Sequence, residues 1–272
     1  IDIEEHYNSE LYKTADLLDA LSSGAVDIGI AAGHAWGQIV PEGFLSNIPL
    51  WAESPEHARK VLRDGGAAEL YDEAFLEMGI KPLHHRIGAP YSYMTNKPVE
   101  KVSDLKGMLF RASGGLFKIW YDALGITSVD IPAAEAYDAL SKGIIDGDSQ
   151  GWSALEALKL GEVTKYISTP SWQNAIMVTT YMNDAKFQTL PKDLQELILQ
   201  VGREAEKLCT TDGYEADLTG FEATIEKYKI TKTAMSEEEF TKFKDTIEPV
   251  YDAFAAFNDR CAQIMDICKN YK

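Results

Sequence analysis

The chain has 272 residues, 45% of them apolar, with five Trp and ten Phe, enough for one large or two modest domains with real cores. Lys and Arg total 26 against 43 Asp and Glu, and the net charge of −17 repels nucleic acid and anionic membrane surfaces. No apolar run approaches the length of a membrane span and no signal peptide stands at the N-terminus, so a soluble globular chain is expected.

Ile1 to His6 reads as a strand with no lead, and a helix carrying Leu17, Leu18 and Leu21 follows up to a Gly24 stop. Val26 to Ala31 is the next predicted strand. An α/β domain that opens in mid-sheet implies that a strand and a helix belong ahead of it. Ser54-Pro55-Glu56-His57 starts a helix with a serine cap and a proline in the first turn, which leaves His57 at the surface. A helix over 67–78 ends at Gly79, and 81–88 reads as a strand leaving the first domain. His84 and His85 are adjacent, so on a strand they point to opposite faces and cannot share a metal. Tyr91 and Tyr93 lie on one face of the extended segment 89–96, where the chain would cross to a second domain.

The stretch 107–152 holds the centre of the pattern. Met108, Leu109 and Phe110 suit a strand of an enclosed sheet, and Arg111 sits at its C-terminal end, outside which open α/β sheets bind their ligands. Ser113, Gly114 and Gly115 then bring backbone amides close to a bound group before a helix with Leu116, Ile119, Trp120 and Ala123 on its apolar face, ended by Gly125. In a chain this acidic, an arginine in an apolar setting marks a local anion site or a solvated ion pair, and the two readings weigh about evenly on Arg111 alone. An internal repeat favours the first. Residues 19–27 read DALSSGAVD and residues 138–146 read DALSKGIID, each a helix end, a glycine and the start of a strand. Each copy is followed by a loop with an aromatic: Gly33-His34-Ala35-Trp36 after the first, Ser149-Gln150-Gly151-Trp152 after the second. Two related α/β units facing each other across a cleft account for this.

Residues 168–183 supply a turn bearing Trp172, Gln173 and Asn174 and then a strand, 176–182, which is the natural return crossing. Pro191 opens a helix whose apolar positions continue to Tyr228, about 38 residues or roughly 57 Å at about 1.5 Å per residue, longer than one domain. Thr210 to Gly213 are weak helix formers in its middle and predict a bend. Ser236 and Glu239 form a capping box, Pro249 interrupts the helix that follows, and Val250, Phe254, Phe257, Cys261, Ile264 and Cys268 form the last apolar stripe. Cys261 and Cys268 lie on one helix face, roughly 10 Å apart along the axis, too far for a disulfide. Cys209 remains able to pair with either.

The sequence resembles the solute-binding proteins of TRAP (tripartite ATP-independent periplasmic) transporters, DctP type. The resemblance rests on IDIEEHYNSEL, LLDALSSGAVDIGI, NKPVEKVSDLKGMLFRASGG, IPAAEAYDALSKGIIDG and LPKDLQELI, in the family's order over most of the chain. It implies an α/β, two-domain periplasmic-binding-protein-like fold with a ligand cleft between domains and a long domain-spanning helix. The first domain would take 1–88 plus 176–213 and the second 89–175 plus 214–272. It further implies a periplasmic monomer that passes a small organic anion to TRAP permease membrane subunits, with Arg111 pairing with the ligand carboxylate. Tyr91 stands where sialic acid binders carry a second arginine, which argues against a sugar acid. Ser149-Gln150 replaces the Glu-Trp pair of the keto-acid binders, so neither a metal nor a cofactor is implied. An α/β enzyme is the competing class, but no Gly-x-Ser-x-Gly, His-Glu-x-x-His or phosphate loop is present. Asp146 and Asp148 read as turn formers at a strand end. The expected ligand-binding set is Arg111, Gln150, Trp152, Trp172, Asn174, Tyr91, Tyr93, Trp36 and His34. Its aromatics predict an apolar, flat-walled pocket for an aromatic or apolar monocarboxylate, with a short keto or hydroxy acid or a dicarboxylate as the alternative.

Overall fold

The structure, a computed structural model, describes residues 3–7, 9–88, 90–112 and 116–271. Two sheets organise it. The smaller is antiparallel, with β8 (Met177–Asn183) between β1 (Ile28–Ala31) and β2 (Ile80–Ile87). The larger has six strands in the order β5 (Thr127–Asp130), β4 (Leu109–Ala112), β6 (Gly147–Gly151), β3 (Tyr91–Thr95), β7 (Tyr166–Thr169) and β9 (Thr231–Ala234). Strand β4 runs parallel to both its neighbours, and β3 runs antiparallel to β6 and β7.

The internal repeat is a repeat of structure. Helix α1 (Thr14–Ser23) ends on Gly24 at φ 76°, and α5 (Ala136–Ser141) is followed by Gly143 at φ 67°; each leads into a strand, β1 and β6 respectively. Only glycine adopts this left-handed geometry without strain, which is why both copies keep it. Of the strand expected over Ile1 to His6, residues 3–6 lie exposed outside any regular element, and the first two lie outside the described residues.

The chain crosses between the sheets after β2 and again before β8, and the crossings touch: Gly88 N donates to Ile176 O at 2.7 Å and Tyr91 N to Gln173 O at 2.8 Å. The third connection is the long helix, α8 (Lys192–Leu208), a π-turn at Cys209–Gly213 and α9 (Tyr214–Tyr228). The weak helix formers at 210–213 therefore widen the helix instead of ending it. The buried face of α8 is Gln195, Gly202 and Glu206, with Ile198 and Leu199 packed on Leu83, Met182 and Phe187, while Leu197, Val201 and Leu208 stay exposed, so the apolar spacing there marks the packed side only in part.

Other helices position the two halves. Helix α2 (Pro55–Arg63) starts as expected, with Ser54 Oγ accepting from His57 N. Helix α3 (Ala67–Glu77) covers β2, and α4 (Phe117–Leu124) packs against α10 (Glu237–Ala255). Pro249 lies inside α10 and does not break it, because Phe243, Ile247, Val250 and Phe254 anchor the helix in the core on both sides of the proline. Only half of the expected capping box forms: Ser236 Oγ accepts from Glu239 N, but the Glu239 carboxylate turns to Val102 N at 3.0 Å. The last helix, α11 (Asp259–Asn270), packs on both α10 and α3. Cys209, Cys261 and Cys268 are all free thiols.

Candidate functional site

Arg111 is the third residue of β4, and the pairing of Phe110 with Gly147 sets it level with Asp148 on β6. Phe110 packs on Gly147, where a Cβ would meet its ring at 2.6 Å, so Arg111 and Asp148 project from the opposite face of the sheet. The guanidinium is buried at 7% exposure; Nε donates to Ile131 O at 2.8 Å and Nη1 to Asp148 Oδ1 at 3.3 Å. The same Oδ1 accepts from Ser149 N at 2.7 Å. Burial pushes the Asp148 carboxyl above the usual aspartate range, against the opposing pull of Arg111.

His34 comes to this point from the smaller sheet, in the turn after β1. Its backbone N and its Nδ1 lie 2.9 and 3.0 Å from Ser46 Oγ, and its ring meets Phe117 edge-on at 6.4 Å. Burial, and then the charge of Arg111, lowers its pKa from 6.5 to about 4, so the imidazole is neutral at pH 7. The loop after the first repeat copy thus reaches α4 of the larger sheet's unit, and a neutral imidazole, donor and acceptor at once, lies within range of the Arg111 charge. Tyr91 belongs to the same group: burial raises its hydroxyl pKa, and Arg111 and Asp148 act on it with opposite sign. Tyr91 and Gln150 also line a cavity of about 280 Å³ at the crossings, with Arg86, Ser153, Ile176 and Asp217 on its other walls. Gln150 is buried at 8% exposure, two residues along the strand from Asp148 on the same face.

The remaining expected site residues lie elsewhere. Trp36 donates from Nε1 to Thr14 O at 2.7 Å and packs against Phe75 and Tyr181, inside the core of the smaller sheet's unit. Tyr93 and Trp172 stack on each other at 5.9 Å in a buried aromatic cluster with Phe110, Trp120 and Phe243. Trp152 stacks on Phe221 of α9 at 4.0 Å and donates to Ser92 Oγ. Asn174 donates to Glu53 O at 3.1 Å and ties the return crossing to the loop before α2. Trp36, Tyr93 and Trp172 are buried, Trp172 meeting Tyr91 edge-on at 5.9 Å, while Trp152 is half-buried; composition alone does not reveal which way such aromatics turn. Ser113, Gly114 and Gly115, expected to offer backbone amides, lie outside the described residues.

Sequence reasoning passed over Ser46 and Phe117 and took Asp148 for a turn former. For Asp148 the signal was the alternation Asp146, Asp148, Gln150 on one strand face. Asp146 does act as a strand-end residue, accepting from Leu109 N and pairing with Lys97, but Asp148 does not.

Two α/β units joined by three crossings, with a buried cation at a strand end between them, define a solute-binding protein of the two-domain kind. The DctP model, bacterial extracellular solute-binding protein, family 7, matches residues 1–257, and the chain belongs to that family. A solute-binding protein from a Sulfitobacter strain is 27% identical over 256 residues, covering 92% of this chain and 75% of the relative. A TRAP periplasmic solute-binding protein from Rhodoferax ferrireducens with bound malonate has a TM-score of 0.86 at 23% identity, covering 96% of this chain and 83% of that one. Another, from Xanthobacter autotrophicus with bound β-D-galacturonate, has a TM-score of 0.86 at 20% identity, covering 99% and 89%. The family is one of extracellular solute-binding proteins, transport proteins and not enzymes, and the two similar structures hold organic acids. Among the described residues, no helix is long and apolar enough to cross a membrane.

Proposed function

We propose that this chain is a monomeric solute receptor that closes its two units around a small organic carboxylate and delivers it to a TRAP-type permease. Arg111 receives the ligand carboxylate, with His34 and Tyr91 against the ligand's sides. The observation that carries this reading is a nearly buried guanidinium in a strongly acidic chain, placed opposite a neutral His34 from the other unit. The neutral imidazole matters, since a second cation there would repel Arg111 and a carboxylate would compete with the ligand. With Trp36, Tyr93, Trp152 and Trp172 in cores, support moves from the aromatic monocarboxylate to the short keto or hydroxy acid. The malonate and galacturonate of the similar structures are also carboxylates.

Native mass spectrometry of protein secreted to a bacterial periplasm tests this. The expected result is one bound organic acid per single chain, lost on unfolding. A dimer would remove the monomer, and a thermal-shift panel in which no carboxylic acid stabilises the protein would remove the carboxylate.

A further inference from the structure

Asp148 places a second charge in this site. Its Oδ1 is held by two donors, Arg111 Nη1 and Ser149 N, but its Oδ2 is buried with no hydrogen-bond partner among the described residues. The side chain is fully buried. It stands on the strand face that carries Gln150 into the cavity beside Tyr91, and among the described residues Gln150 Nε2 and Ser149 Oγ likewise have no partner at hydrogen-bond geometry, although Gln150 is near enough to Asp148 to favour its ionised form and Ser149 near enough to act on Tyr121. Buried polar atoms are rarely left so, and a cluster of them beside a ligand-binding arginine asks for polar groups on the ligand.

Charge points the same way. Arg111 and ionised Asp148 together carry no net charge, so a bare carboxylate brought to Arg111 meets a half-neutralised partner and a repelling neighbour. A ligand with a donor on the carbon next to its carboxylate avoids both problems. Its carboxylate takes the outer edge of the guanidinium, while its ammonium or hydroxyl donates to Asp148 Oδ2.

Building on the proposed function and narrowing it, we infer that Asp148 is a specificity-determining residue that selects carboxylates with an adjacent hydrogen-bond donor, α-amino acids ahead of α-hydroxy acids, and both ahead of α-keto acids, which offer only an acceptor there. Ammonium ranks first because it also offsets the aspartate charge.

The test is calorimetry with matched series that share one skeleton: butanoate, 2-hydroxybutanoate and 2-aminobutanoate; succinate, malate and aspartate; 3-phenylpropanoate, 3-phenyllactate and phenylalanine. In the skeleton that fits, the amino acid is expected to bind on the order of 100-fold tighter than the parent acid, as for one hydrogen bond gained to a charged group. Asp148→Asn should reduce that advantage, and Asp148→Leu should abolish it, with circular dichroism showing that each variant is folded. Parent acids that bind as tightly as their amino and hydroxy partners would overturn the inference while leaving the carboxylate receptor intact. An absence of Arg111-dependent binding by every acid would overturn both. The ranking on the unaltered protein decides the matter even if the variants fail to fold.

Discussion

At the scale of single residues, the Arg111 and Asp148 pair has consequences for stability as well as binding. Removing one member of a buried pair leaves the other uncompensated, so Arg111→Ala should destabilise the ligand-free protein by about 3 kcal/mol. The double change Arg111→Met, Asp148→Leu should recover much of this, and denaturant titration of the three proteins checks it; equal losses in single and double variants would show that the two charges are not coupled. His34 gives a pH prediction. Its pKa is about 4 in the fold and about 6.5 when unfolded, so the unfolded chain binds more protons between those values and stability rises with pH there. Because the ring is only partly enclosed, the loss from pH 7 to pH 5 should be about 1 to 2 kcal/mol. His34→Asn should remove that share of the slope. Asp148 acts in the opposite sense: its raised pKa stabilises the protonated form of the folded state, and that contribution fades as pH climbs through the folded pKa.

At the scale of elements, the helix that links the two units depends on one buried carboxylate. Glu206 accepts from Arg63 Nε at 2.9 Å and from His85 N at 2.7 Å, one turn before the π-turn. Glu206→Ala should cost about 3 kcal/mol, since it strands both Arg63 and a buried backbone N–H. One turn earlier, Gly202 lies so close to β2 that an added Cβ would sit 2.8 Å from Leu83 O. Gly202→Ala should therefore destabilise by about 1 to 3 kcal/mol despite the better helix propensity of alanine; a stabilised variant would mean that α8 can lift from β2. These elements also show what the sequence made legible. The helix, glycine, strand units and an irregularity at 210–213 were readable because caps and weak helix formers act locally, although the irregularity is a π-turn where a bend was expected. Arg111 was readable because a cation follows an apolar run. The burial of α8 was readable only in part, because its packed side is also set by Gly202 and Glu206 meeting β2, a contact between distant parts of the chain. Asp148 was misread for the same reason: its partner lies on another strand, and only the β4 to β6 register brings them level. The tryptophans misled because aromatic loops look alike whether they face a cleft or a core.

At the scale of the molecule, the proposed function predicts closure: a ligand that touched Arg111 on one side and His34 on the other would stabilise a closed arrangement. Small-angle scattering should show a smaller radius of gyration with saturating ligand; an unchanged radius would contradict closure. The acidic surface keeps the receptor away from anionic headgroups, so its meeting with a permease would be guided by specific contacts instead of general attraction to the membrane. All of this depends on a carboxylate held by one arginine. The decisive measurement is titration calorimetry of the acid identified by mass spectrometry against the unaltered protein and Arg111→Ala at one pH and ionic strength. The account predicts one site per chain and a loss on the order of 100-fold or more in the variant, as for a buried charge pair broken on one side. Equal affinity in the two proteins would place the ligand elsewhere.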